Sequence, residues 1–299
     1  MTCYHPLKGW RALQANPSGK HSIIFNFSHE TCNPFYEVVV PCGQCIGCRL
    51  DRSRIWAARC VNEASLHDQN CFITLTYAPE FLPKDGSLNT EDIQGFFKRL
   101  RRRIEPRQVR YFQCGEYGSL LSRPHHHAIL FGFDFPDKKL FQVRDGVRLY
   151  VSLMLSQLWP FGYSTIGDVT FESCAYVARY ITKKVTGDFA EEHYEGRKPE
   201  YITMSRRPGI GREWLEKYLS DVYPEDALII RDGIKMKPPR YYDAIYDKID
   251  PEAFALIKRK RIEKLQLIDP EEFSYERLQV KEACKYLSTL KLPRTIEGQ

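Results

Sequence analysis

The segment Pro124-His125-His126-His127-Ala128-Ile129-Leu130-Phe131 constrains this chain more than any other stretch of it. An apolar run entered through a proline reads as a β-strand, and alternate side chains of a strand share a face. His125 and His127 therefore project together. His126 projects from the other side, where packing or contact with a substrate is expected of it. A lone histidine more often packs than ligates. Two imidazoles at alternate strand positions differ, because a rigid backbone holds two nitrogen donors side by side for a metal. Glu116 lies at the exit of the preceding apolar segment and is expected to supply a carboxylate to the same face. A set of His125, His127 and Glu116 leaves coordination positions open. A manganese or magnesium ion held there would polarise a phosphate oxygen as a Lewis acid.

The surrounding periodicity sets the fold class. Residues 49–66 carry helical spacing, and residues 71–77 form a β-branched and aromatic run. Asn89-Thr90-Glu91-Asp92 caps a helix whose apolar positions are Ile93, Phe96, Phe97 and Leu100. Residues 109–114 and 163–170 read as further strands, residues 150–159 and 173–184 as helices. A hairpin is expected around Asp232-Gly233. Two charged helices, split near Asp269-Pro270, are expected over residues 251–288. This alternation, without long parallel spacings, predicts an α+β fold: a central antiparallel sheet with helices on one face. The chain divides into a Cys-rich element (residues 1–50), the sheet domain (51–245) and a helical C-terminal extension (246–299).

The helix over residues 173–184 places Tyr176 and Tyr180 four residues apart, on one face, and Lys183 and Lys184 continue it by a turn. Taken alone, this is an amphipathic helix with two core tyrosines. Beside a metal and cationic lysines, a phenol becomes competent as a nucleophile, because both favour the phenolate.

Two further groups stand out. Lys98, Arg99, Arg101, Arg102, Arg103, Arg107 and Arg110 form a basic block, with Tyr117 and other aromatics nearby and Arg206-Arg207 further on. Such a block suits the phosphates of DNA, and aromatic rings suit unpaired bases. Cys42, Cys45 and Cys48 offer three thiolates at regular spacing, as a structural zinc requires. Cys3 is the first candidate for the fourth ligand, with Cys32 and His5 as alternatives. An iron–sulfur cluster is the lesser alternative, since no redox partner motif is visible.

Three segments, Phe72-Ile73-Thr74-Leu75-Thr76, Pro124-His125-His126-His127 and Tyr176-Val177-Ala178-Arg179-Tyr180, occur in that order. Together they resemble the signature of the HUH endonuclease superfamily, with histidines before tyrosines as in rolling-circle replication initiators. Cys42-Gly43-Gln44-Cys45-Ile46-Gly47-Cys48, Gly115-Glu116-Tyr117-Gly118 and Ser205-Arg206-Arg207-Pro208-Gly209-Ile210-Gly211 are similar to the initiators of gokushovirus-like Microviridae. The middle position of the histidine motif departs from the usual hydrophobic residue. The resemblance implies a central sheet of RRM-like or ferredoxin-like type. It also implies nicking of single-stranded origin DNA by a tyrosine, with a 5′-phosphotyrosyl link and a free 3′-hydroxyl, and later rejoining. A second tyrosine would serve the second cut. A host polymerase would extend the 3′ end, and a host helicase would unwind the duplex, since the chain has no GxxxxGK[ST] segment.

Composition narrows the alternatives. The net charge, 44 basic against 38 acidic residues, is +6 and points weakly to nucleic acid. No apolar run is long enough to span a membrane, and no secretory signal opens the chain, so host cytoplasm and reduced thiols are expected. Two other readings remain: a paired-tyrosine single-strand transposase, and a non-catalytic zinc-containing nucleic-acid-binding protein.

Overall fold

The computed structural model describes residues 3–118, 121–144, 146–179, 184, 189–230 and 233–290. In chain order the elements are β1 (Leu7–Ala15), β2 (His21–Ile24), β3 (Cys32–Val40), α1 (Ile46–Ala64), β4 (Asn70–Thr76), α2 (Thr90–Ile104), β5 (Arg110–Tyr117) and β6 (Pro124–Phe131). They continue with β7 (Lys139–Arg144), β8 (Val147–Val151), α3 (Leu153–Leu158), β9 (Ser164–Gly167), α4 (Phe171–Arg179), α5 (Phe189–Tyr194), β10 (Tyr201–Met204) and α6 (Arg212–Lys217). The last are α7 (Leu219–Val222), β11 (Leu228–Ile229), β12 (Lys235–Met236), α8 (Arg240–Ile249), α9 (Pro251–Gln266) and α10 (Tyr275–Leu290).

The chain forms two compact units. One is Met1–Asp51 together with the segment that begins at Leu267; the other is Arg52–Gln266. This differs from the three segments read in the sequence: α9 falls with the sheet, and α10 falls with the N-terminal element. In the first unit, β1 lies between β2 and β3 in a small antiparallel sheet. Leu278 of α10 is buried with Cys3, Tyr4 and Cys45, and His5 Nε2 lies 2.6 Å from Glu282 Oε2.

The second unit is built on a seven-stranded sheet of order β10-β5-β6-β4-β9-β8-β7, antiparallel at every pairing. The register Thr74↔His127↔Cys114 sorts the side chains into two faces. One carries Ile73, Leu75, Ala128 and Leu130, covered by α2 and α3. The other carries Phe72, Phe112, Ile129 and Phe131, covered by α1 and α4 through Ala57, Cys60, Cys174 and Val177. Helices therefore cover both faces, not one. The cause is that β4, β5 and β6 are apolar on both sides, so each side needs cover.

Helix α2 begins where expected: the Asn89 side chain accepts from the Glu91 amide at 3.0 Å. Its Ile93, Phe96, Phe97 and Leu100 are buried. Each such burial contributes about 1.5–3 kcal/mol, whereas repulsion between neighbouring exposed cations costs a few tenths. Packing thus decides the position of a helix whose last turns are crowded with positive charge.

The breaker-rich turn over residues 205–211 is clamped from below. Arg59 donates through Nε and Nη2 to the Ile210 carbonyl at 3.0 and 2.9 Å. Glu63 accepts the Gly211 amide at 2.7 Å and also pairs with Arg110, whose Nη2 donates to the Pro208 carbonyl at 2.9 Å. Gly211 has φ +76°, a conformation that favours glycine.

Candidate metal centre

Strand pairing brings the centre together. Glu116 of β5 lies directly opposite His125 of β6, and His127 lies two residues further along the same face. Gly115 makes room beside it: a Cβ there would stand 2.6 Å from the Tyr201 ring. His125 Nε2 and His127 Nε2 each lie 2.9 Å from Glu116 Oε1. These three ligand atoms lie within 4.8 Å of one another. Burial alone would raise the Glu116 carboxyl, but hydrogen bonds from the two imidazoles outweigh it and hold the group down at about 2.

The donor set suits a cation. His125 Nδ1 faces the Arg123 carbonyl at 3.1 Å, and its Nε2 faces the carboxylate. Both neighbours are acceptors, whereas a neutral imidazole carries one N–H. A second proton, or a cation between Nε2 and Oε1, makes the arrangement attractive. His127 Nδ1 lies 2.9 Å from Thr74 Oγ1, a partner that fixes the ring while Nε2 points to the centre. The Thr74 contact was not foreseen, although the alternation of β4 places Thr74 on the face of Phe72.

His126 points to the opposite side, as strand geometry requires. It is fully buried, with Tyr77 Oη at 3.3 Å from Nε2, and Tyr201 Oη at 3.4 Å and Gln113 Nε2 at 3.5 Å from Nδ1. Burial, and then the two flanking imidazoles, push its pKa down to about 3, so it stays neutral.

Tyr176 lies on α4 over the metal-binding face. Its ring stands edge-on to that of His127 at 5.2 Å between centroids, and 6.2 Å from Phe72. The ring is buried. Lys184 is exposed. Tyr180 and Lys183 lie outside the described residues.

A family profile for replication-associated proteins of the ORF2 type matches residues 70–185, the span that holds these groups. The chain is 32% identical over 280 residues to replication-associated protein VP4 of Bdellovibrio phage phiMH2K, covering 89% of this chain and 85% of the relative. Identity to replication-associated protein ORF2 of Spiroplasma virus 4 is 35% over 238 residues, 74% of this chain and 72% of the relative. The chain belongs to this family of phage replication-associated proteins. Replication-associated protein ORF4 of Chlamydia phage 1 is 30% identical over 223 residues, 71% of this chain and 55% of that relative. No solved structure gives a significant match. The resemblance to Microviridae replication initiators is thereby borne out.

In this family member the cysteines form a second centre. The thiol sulfurs of Cys3, Cys42, Cys45 and Cys48 lie within 4.8 Å of one another. Cys3 Sγ is 3.6 Å from that of Cys42 and 3.9 Å from that of Cys45. Disulfides need about 2.05 Å, whereas the edge of a tetrahedron built on Zn–S bonds of about 2.3 Å is about 3.8 Å. Cys3 is thus the fourth member. Cys32 lies elsewhere, near the Asn26 carbonyl, and His5 is engaged by Glu282. Burial would raise the Cys42 thiol, but the amides of Cys45 and Gln44, at 3.3 and 3.4 Å, bring it down to about 7. Burial pushes Cys48 up.

The basic block separates into two groups. Arg99 spends its guanidinium on the Leu158 carbonyl, at 3.0 and 2.9 Å. Arg107 donates to the Gly132 carbonyl and to Gln69, both at 2.7 Å. Arg110 is taken by Glu63 and Pro208. Tyr117 is buried, its hydroxyl donating to the Lys198 carbonyl at 2.7 Å, so it offers no open ring for stacking. Lys98, Arg101, Arg102, Arg103, Arg206 and Arg207 are exposed. Helix α2 covers the face opposite the Glu116, His125 and His127 centre. No described helix is long and apolar enough to cross a membrane.

Proposed function

We propose that this replication-associated protein nicks and rejoins single-stranded origin DNA through a tyrosine nucleophile. The observation that carries the reading is the convergence of His125 Nε2, His127 Nε2 and Glu116 Oε1 under the ring of Tyr176. A divalent cation such as manganese or magnesium, held by those three groups, supplies Lewis-acid polarisation of the scissile phosphate. Thr74 and the Arg123 carbonyl keep the imidazoles aimed. The phenol oxygen of Tyr176, or of Tyr180 one helical turn on, attacks phosphorus. A P–O bond to tyrosine forms as the bond to the 3′ oxygen breaks, and the leaving oxygen takes up a proton as a free 3′-hydroxyl. Lys183 and Lys184 favour the phenolate. The 3′ end primes a host polymerase, with unwinding by a host helicase, in the host cytoplasm. Rejoining is the same exchange in reverse and needs no nucleotide cofactor. A structural zinc on Cys3, Cys42, Cys45 and Cys48 takes no part in the chemistry.

The test uses a labelled single-stranded origin oligonucleotide, with added manganese or magnesium, and a denaturing gel. A covalent protein–DNA band is expected. It should vanish in the Tyr176→Phe/Tyr180→Phe double variant and without the divalent ion. A band that persists in the double variant overturns the assignment of the nucleophile.

A further inference from the structure

On the sheet face opposite the metal-binding centre, a cavity of about 200 Å³ opens between α2 and the edge formed by β5 and β10. Its lining combines Tyr111, Lys98, Arg101, Gln94, Tyr201 and Thr203. The Tyr111 ring is stacked on Phe97 at 4.0 Å between centroids and 28° between planes, so it is held flat. The Arg101 guanidinium lies 5.7 Å from the Tyr111 ring centre. Lys98 and Arg101 are exposed, and neither has a carboxylate partner among the described residues. They contrast with Arg99, Arg107 and Arg110, which hold protein carbonyls or Glu63.

A fixed aromatic ring beside two uncompensated cations, with a side-chain amide and hydroxyls around them, matches a nucleotide: a base to stack, a phosphate to neutralise and base edges to hydrogen-bond. An acidic peptide would use the cations and leave the ring without a partner. We propose that this cavity is a second nucleotide-binding site, in which a base packs against Tyr111 and its phosphate meets Lys98 and Arg101. The occupant is a nucleotide of a DNA segment other than the one being cut, because α2 covers the face turned away from His125 and His127. The protein then grips its DNA on both sides of one sheet. The site also reaches the middle of the sheet: Tyr201 lines the cavity, and its hydroxyl lies 3.4 Å from His126, between the two candidate ligands.

This goes beyond the nicking reaction and does not need it, so the experiment reads binding with no added divalent ion. Affinity of the full-length protein for a fluorescent oligothymidylate is measured by anisotropy over a series of salt concentrations. Lys98→Ala/Arg101→Ala is compared with Arg102→Ala/Arg103→Ala, which removes the same charge from the same helix. Loss of about tenfold is expected for the first pair, with a salt slope smaller by about 1.4, or about 0.7 per phosphate contact. The second pair should lose less than threefold. Tyr111→Leu should weaken binding while leaving the salt slope unchanged. An oligonucleotide carrying 5-iodouracil should cross-link at Tyr111. Thymidine monophosphate distinguishes the source: competition only at far higher concentration than the oligonucleotide supports a strand, and equal potency assigns a free nucleotide to the same site. Equal losses from the two charge pairs would overturn the proposal. So would displacement of DNA by polyglutamate as readily as by unlabelled oligonucleotide, which would make the patch a docking site for acidic protein.

Discussion

Thr74 and His126 show how neighbours of a metal-binding pair shape it without joining it. Thr74 Oγ1 is the described partner of His127 Nδ1, so Thr74→Val should leave that nitrogen unpaired and the ring free to turn. Manganese affinity, read by calorimetry, should fall about 10–100-fold, with Thr74→Ser retaining most of it. Unchanged affinity in the valine variant would remove Thr74 from the site. His126 carries a pH signature. Its folded-state pKa of about 3 lies below the ordinary 6.5, so the unfolded chain binds the extra proton. Stability from this group is complete above 6.5 and is lost as pH falls from 6.5 towards 3, at up to about 1.4 kcal/mol per pH unit. In the difference between wild type and His126→Leu, that slope should appear between those limits; parallel curves would contradict a buried neutral imidazole. The pairing of His125 with His127 was legible because alternation along a strand needs no partner. Thr74 was not, because its contact depends on the register of β4 against β6.

Among the elements, helices with strong caps and strands with clean alternation were readable. The β7–β8 pair was not foreseen, although the sequence offers Asp145-Gly146 as a turn signal between two short alternating runs. Helices on both faces of the sheet were also missed: an apolar strand does not reveal which helix will cover which side. The basic block shows the same limit. Seven cations looked alike in sequence, yet Arg99, Arg107 and Arg110 fasten elements together while Lys98 and Arg101 stay open. The turn over residues 205–211 depends on one buried carboxylate, Glu63, which pairs with Arg110 and accepts the Gly211 amide. Removing one partner of a buried pair costs about 3–5 kcal/mol. Glu63→Ala should lower the stability read from the urea midpoint by that amount with an unchanged denaturant slope; a loss below about 1 kcal/mol, the scale of exposed pairs, would mean the clamp is not needed.

At the scale of the molecule, the two compact units join chain ends that the sequence kept apart. The cysteines lie in the first fifty residues, yet Leu278 of α10 is buried among them. Nothing in the helical periodicity of residues 251–288 announced that contact. Removing metal from the four thiols should therefore loosen α10 as well as the N-terminus. Hydrogen exchange across Tyr275–Leu290 should accelerate after chelation or in Cys45→Ser, whereas β4 to β6 keep their protection; equal loss in both places would mean that the cysteine centre is not local in its effect. The family assignment rests on sequence relatives, and the chemistry rests on what the sheet and α4 assemble. The most direct test is peptide mapping by mass spectrometry of the protein trapped on origin DNA in the presence of manganese. The account predicts a nucleotide adduct on the peptide that carries Tyr176 and Tyr180, through a phosphotyrosyl bond to the 5′ end. An adduct on any other peptide, or cleavage that leaves no adduct, would contradict it.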